Sequence, residues 1–138
     1  MSRSERESFL AGLHVAIVAI EEPGRSPLVT PVWYSYEPGG AIRFVTGRQS
    51  HKAELVARSG RLSLIAQTQQ LPYRYVAVQG SARVLGAAGE AERRALAHRY
   101  LGPEFGDAYM EATAGADDVV VELIPDTWRT VDFSKMMA

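Results

Sequence analysis

The sequence predicts a mainly β domain of the α+β class: an antiparallel barrel of six to seven strands with helices against its mouth or wall. Three observations predict it. Short β-branched segments recur between turn signals along the chain. They follow one another as hairpins and do not alternate regularly with helices, which argues against a doubly wound parallel sheet. Several carry apolar residues on both faces, as strands of a closed barrel do. One domain spanning residues 1–138 is long enough to bury roughly two-thirds of its unfolded surface.

Taken in order, Ser4–Leu13 reads as a short helix, with Ser4 as cap, Glu5 and Glu7 in the first turn, and Phe9, Leu10 and Leu13 on one side. His14–Ile20 is almost wholly apolar, the pattern of a strand covered on both faces. Glu22–Pro27 is a turn by composition, Leu28–Tyr36 a second strand, Glu37-Pro38-Gly39-Gly40 a hairpin turn and Ala41–Thr46 a third strand. Pro31 cannot donate to a ladder, so it marks an edge or a lapse in pairing, with Trp33 two residues on. A helix from Ser50 to about Arg58 ends at Ser59-Gly60. Arg61–Gln67 and Tyr73–Leu85 are the fourth and fifth strands. In the fifth, Val76, Val78, Ala82 and Val84 share one face, and Tyr75, Ala77, Gln79 and Ser81 the other. That second face suits a subunit interface, a ligand wall or a solvated exterior. Gly86–Leu101 is a second substantial helix stopped by Gly102-Pro103, and Glu104–Ala112 a shorter one. Val119–Ile124 is the sixth strand, and Trp128–Phe133 a seventh or an extended tail.

Composition excludes several classes. A net charge of −1 supplies no basic footprint for nucleic acid, and the aromatics are not framed by Lys or Arg runs. With no cysteine there are no disulfides, thiol nucleophiles or Cys-ligated zinc sites. The N-terminus does not read as a signal peptide, and Val15–Ile20 is far too short to cross a bilayer. A soluble cytoplasmic protein without a membrane partner is the expectation. No metal site is expected either: Asp117-Asp118 lacks a further ligand nearby and reads as a strand-start pair on the surface.

The chemistry concentrates in Ile42–Leu55. A strand ends at Gly47, and Ser50 caps a helix that begins Lys52-Ala53-Glu54-Leu55. Arg48, His51 and Lys52 crowd the helix N-terminus, where the macrodipole already carries about half a positive charge. Basic residues there are unfavourable unless an anion sits among them. Free amides, hydroxyls and a Lys at that junction form a phosphate cradle. The same residues also read as a solvated turn with three basic side chains in water.

Pro31-Val32-Trp33-Tyr34, Phe44-Val45-Thr46 with Ser50-His51-Lys52-Ala53 and Leu55, Arg61-Leu62-Ser63-Leu64 and Val76-Ala77-Val78-Gln79-Gly80-Ser81-Ala82 occur in that order. In this order they resemble the pyridoxamine-phosphate-oxidase-like split β-barrel flavoproteins, which include flavin mononucleotide (FMN) oxidases and oxidoreductases dependent on the deazaflavin coenzyme F420. The resemblance implies a homodimer with the cofactor in a groove between two barrels. It places the cofactor phosphate at Thr46, Ser50 and Lys52, with Gly47 and His51 beside them in the cofactor site, and the ring along Pro31, Val32 and Trp33 with Gln79 offered from the fifth strand. It also brings the segment around Trp128 near the ring.

Two departures bear on the cofactor. The FMN oxidases commonly have Arg where this chain has His51, and they carry an Arg and a Lys on the strand equivalent to Leu28–Tyr36, which has neither. Each missing charge-assisted hydrogen bond removes about 1.5–3 kcal/mol from phosphate binding. The resemblance therefore implies an F420-dependent oxidoreductase passing hydride to a small organic acceptor. An FMN enzyme of the same fold, or a dimer that binds a flavin-type cofactor without turnover, are the alternatives. No catalytic triad is visible, and Tyr34, Tyr73 and Tyr75 are candidate proton donors.

Overall fold

The computed structural model describes residues 1–136. The chain runs α1 (Arg3–Ala11), β1 (Ala16–Ile20), β2 (Leu28–Val32), β3 (Tyr34–Ser35), β4 (Ile42–Gly47), α2 (His51–Ser59), β5 (Arg61–Gln67), β6 (Arg74–Ala87), α3 (Glu90–Ala112), β7 (Asp118–Asp132) and a 3-10 turn at Phe133–Met136. The seven strands form one antiparallel sheet in the order β2-β1-β5-β6-β7-β4-β3. Its two edges, β2 and β3, are consecutive in sequence and separated only by Trp33. The sheet therefore curls until its ends meet at one residue, closed by the covalent chain and not by hydrogen bonds. This is a split barrel.

The predicted strand Leu28–Tyr36 is thus two strands at opposite edges, and Pro31 sits on an edge, as its missing donor requires. The inner face is built by alternation. Ala16, Val18 and Ile20 of β1 meet Phe44, Ile42, Leu64, Val76 and Leu123, while α2 lays Ala53, Leu55 and Val56 against the sheet. β1 is not covered on both faces within this chain: Ile17 points outward and is partly exposed. Tyr34 is fully buried and donates its hydroxyl to the Leu10 carbonyl at 2.6 Å, tying the edge strand to the end of α1. Tyr34→Phe leaves that carbonyl without its donor. It is expected to lower the unfolding free energy by about 1–3 kcal/mol, read as a shift of the urea midpoint at constant m.

Several boundaries differ from the sequence reading, each for a physical reason. The cap of α1 is Ser2, not Ser4: Ser2 Oγ accepts from Glu5 N at 3.1 Å while Glu5 accepts from Ser2 N at 2.9 Å, a reciprocal capping box. Gly86 and Ala87 extend β6, because Ala87 still faces Val119 of β7, so α3 starts at Glu90. Gly102, at φ 81°, interrupts α3, and Pro103 opens its second limb, where a missing N–H costs nothing. Val119–Ile124 and Trp128–Asp132 belong to a single strand, and Phe133 opens the 3-10 turn. The ladder slips between Gln79 and Gly80, leaving Asp126 unpaired in a bulge that accommodates Pro125. Gly80 faces the bulge so closely that a Cβ there would overlap the Ile124 carbonyl oxygen. Among the described residues no helix is long and apolar enough to cross a membrane.

Candidate functional site

The turn from β4 into α2 is closed by its own backbone and hydroxyls. Ser50 N donates to the Gly47 carbonyl at 3.0 Å, and Ser50 Oγ accepts from Ala53 N at 3.1 Å, the expected N-cap. Ser50 Oγ also lies 3.1 Å from the hydroxyl of Thr46, which is buried. The amides of His51 and Lys52, next in the helix, find no partner among the described residues. They remain free donors at the positive end of the dipole.

The three bases that crowd this turn in the sequence diverge in space. Arg48 Nε reaches Asp117 at 3.0 Å. His51 Nε2 lies 2.7 Å from Glu22, and that hydrogen bond holds the imidazole above its ordinary pKa. Lys52 alone of the three has no ion pair among the described residues, and its partial burial lowers its pKa. Two of the three charges are answered by the protein's own carboxylates, and an arriving anion meets one ammonium group.

Lys52 lines a cleft of about 450 Å³. Val45, Thr46 and Gly47 form its base, and Pro31, Val32 and Trp33 one wall. These are the two segments that the sequence reading assigned to phosphate and ring, brought together because Trp33 lies where the sheet edges meet. Tyr100 of α3 stacks flat on Trp33, with centroids 5.2 Å apart and planes at 6°. Its hydroxyl accepts from Tyr34 N at 3.1 Å and donates to the His14 carbonyl at 2.7 Å, which fixes the indole from behind. Leu96, Ala97 and Tyr109 of α3 close the opposite side, with Tyr109 tilted on Trp33 at 5.6 Å.

Other sequence-predicted positions lie elsewhere. Gln79 projects into a separate groove of about 390 Å³ on the outer face of the sheet, beside Ile17, Ile65, Ala77, Thr127 and Arg129. The two grooves share no lining residue. His51 turns away to Glu22, and Ser50 works through Thr46 and the helix cap. Trp128 packs edge-on to Tyr36 and beneath the Arg6 guanidinium, 4.5 Å from its ring, and is absent from the cleft wall. Tyr34 is no proton donor: burial pushes its phenol well above the ordinary range, and its proton is held by Leu10.

Sequence reasoning missed the residues that α3 and β7 supply, above all Arg93 and Asp118. Arg93 Nε meets Asp118 at 3.2 Å on the cleft wall, and Arg93 also donates to the Thr113 hydroxyl at 2.8 Å. Asp118 read as one half of a surface pair, since nothing local shows that it lies across the ladder from Gly47. Among the described residues no group of three His, Asp or Glu side chains can hold a metal ion.

The donor set fits a planar cofactor with a phosphate tail. An unanswered ammonium and a hydroxyl share the cleft with an aromatic and aliphatic lining, and two free helix amides lie in the turn that carries Lys52.

Comparison with known proteins agrees with this architecture. A conserved hypothetical protein from Mycobacterium tuberculosis superposes with a TM-score of 0.81 at 24% identity, covering 100% of this chain and 89% of that one. A structure described as an F420 reductase gives 0.69 at 22% identity, covering 89% of this chain and 94% of its own. An FAD-binding protein from Mesorhizobium loti gives 0.67 at 17% identity, covering 94% of each. A search of curated protein sequences returned no match. The family described as pyridoxamine 5'-phosphate oxidase matches residues 3–132, nearly the whole chain. The chain therefore belongs to the pyridoxamine 5'-phosphate oxidase family of split-barrel, flavin-type oxidoreductases.

Proposed function

We propose that this protein is an oxidoreductase that binds the deazaflavin coenzyme F420 in the cleft beside Trp33, as a homodimer, and passes hydride to a small organic acceptor. The observation that carries the reading is Lys52: a half-buried ammonium with no carboxylate partner among the described residues, in the cleft that Trp33 walls. The protein's own task is to bind, orient and exclude water; bound F420 would supply the hydride donor. Lys52 and the His51 and Lys52 amides would hold the phosphate, and Thr46 would back them through Ser50. Pro31, Val32 and Trp33 would set the ring plane, held from behind by Tyr100, while Leu96 and Ala97 keep that side dry.

Charge favours F420 over FMN. The phosphate of F420 is a diester with one negative charge, whereas the monoester of FMN carries about −1.5 to −2 at pH 7. Compared at the phosphate alone, with the carboxylates further along the F420 tail left aside, a single unanswered ammonium matches the diester. Similarity to the structure described as an F420 reductase supports the same choice, and similarity to the FAD-binding protein keeps FMN as the second reading. The homodimer is supported by the outer face, where Ile17 and the more exposed Val29 line an apolar groove with Ala77 and Gln79.

Fluorescence titration of apo-protein with F420 and with FMN tests the assignment. Saturable F420 binding at one site per chain, at least tenfold tighter than FMN, is the expected result. FMN binding with no response to F420 would overturn it. Single-turnover reoxidation of bound reduced F420 by enones and quinones then separates an enzyme from a carrier.

A further inference from the structure

We infer that Asp118, held by Arg93 on the cleft wall, selects the cofactor by the charge of its phosphate, admitting a singly charged diester and rejecting a doubly charged monoester. The inference rests on the cofactor reading above and names the residue that sets its specificity. Asp118 is the register partner of Gly47, so its backbone lies one strand away from the turn that carries Lys52. Strands in a ladder are about 4.8 Å apart. Asp118, Lys52 and Arg93 all line the same cleft.

The charges on that wall are few and can be counted. Lys52 and Arg93 each bring one positive charge, Asp118 one negative, and Arg93 and Asp118 form a pair at 3.2 Å with only 12% and 21% of their side chains exposed. Asp117 next door is taken by Arg48, and Glu22 by His51, both outside the cleft wall. The net charge presented to an anion is one positive. Without Asp118 the guanidinium, still tethered to Thr113, would add a second positive charge, the complement of a phosphate monoester. Asp118 thus cancels the second positive charge that Arg93 would otherwise offer a phosphate monoester.

The test separates ring from tail. Wild-type, Asp118→Asn and Arg93→Gln proteins are titrated with F420, FMN, the methyl phosphodiester of FMN and riboflavin. The FMN-to-riboflavin affinity ratio reads the monoester alone. In Asp118→Asn that ratio is expected to rise about tenfold, the order for one unit charge a few ångströms away in a half-wet cleft. Riboflavin binding should stay within twofold, and the ratio of the methyl diester to riboflavin should rise less than that for FMN. Arg93→Gln leaves Asp118 unanswered and should lower both ratios, FMN's more. Opposite shifts in the two variants distinguish charge selection from structural damage, which would weaken all four probes in both. An unchanged FMN-to-riboflavin ratio in Asp118→Asn, or a wild type that gains as much from the monoester as from the diester, would overturn the inference and leave the cofactor reading standing. A wild type that binds none of the four probes would overturn both.

Discussion

Lys52→Ala is expected to weaken F420 binding by about 1.5–3 kcal/mol, roughly tenfold to 150-fold in Kd, the worth of one charge-assisted hydrogen bond to a phosphate. The fold should survive, because the ammonium has no carboxylate partner among the described residues and no protein contact of known value is lost. Removal of a group that burial already disfavours in its charged form leaves stability within a few tenths of a kcal/mol of wild type. Two measurements on one preparation check this: the cofactor Kd and the urea midpoint. The same deazaflavin lacking the whole tail from the phosphate onward supplies the control, since its affinity should be indifferent to residue 52. A Kd for F420 that does not move would place the phosphate somewhere other than the β4–α2 turn.

Gly80→Ala should be among the most damaging single substitutions available. The new methyl group would overlap the Ile124 carbonyl oxygen and crowd the Asp126 amide, and both obstacles are backbone. A side chain can rotate aside, whereas the bulge would have to be rebuilt in the longest ladder of the sheet. A cost of about 3 kcal/mol or more is expected, with a loss of about 10 °C or more in Tm for a domain of this size. Denaturant unfolding measures it directly, and a wild-type midpoint would mean that the slip between Gln79 and Gly80 is not rigid.

The elements whose signals are local were legible in the sequence. α2 shows its cap at Ser50 and its left-handed Gly60, and β5 buries Leu62, Leu64 and Ala66 between exposed Arg61, Ser63 and Gln67 and a half-buried Ile65. The β4–α2 turn was visible for the same reason, since strand, glycine, cap and basic residues fall within a dozen positions. What escaped depends on pairing at long range. Pro125-Asp126 is a turn signal overridden by the ladder with β6, and the jump of Leu28–Tyr36 between two sheet edges is written only as the hint of Pro31. The site was half legible for the same cause. Thr46, Gly47 and Lys52 announce themselves, whereas Arg93 and Asp118 become neighbours of that turn only once β7 has paired with β4 and α3 has folded back. Gln79 was assigned from the resemblance, and within one chain it serves a different groove.

The central position of β7 has a consequence for biosynthesis. It is the last of the seven strands to be made, yet it is the only one that bridges β6 and β4. Until it emerges from the ribosome, the nascent chain holds two unjoined pieces, β2-β1-β5-β6 and β4-β3, each with an edge open to other chains. Barrel closure and completion of the cleft beside Trp33 therefore wait for β7, and the incomplete chain depends during that interval on whatever shields exposed strand edges in the cell.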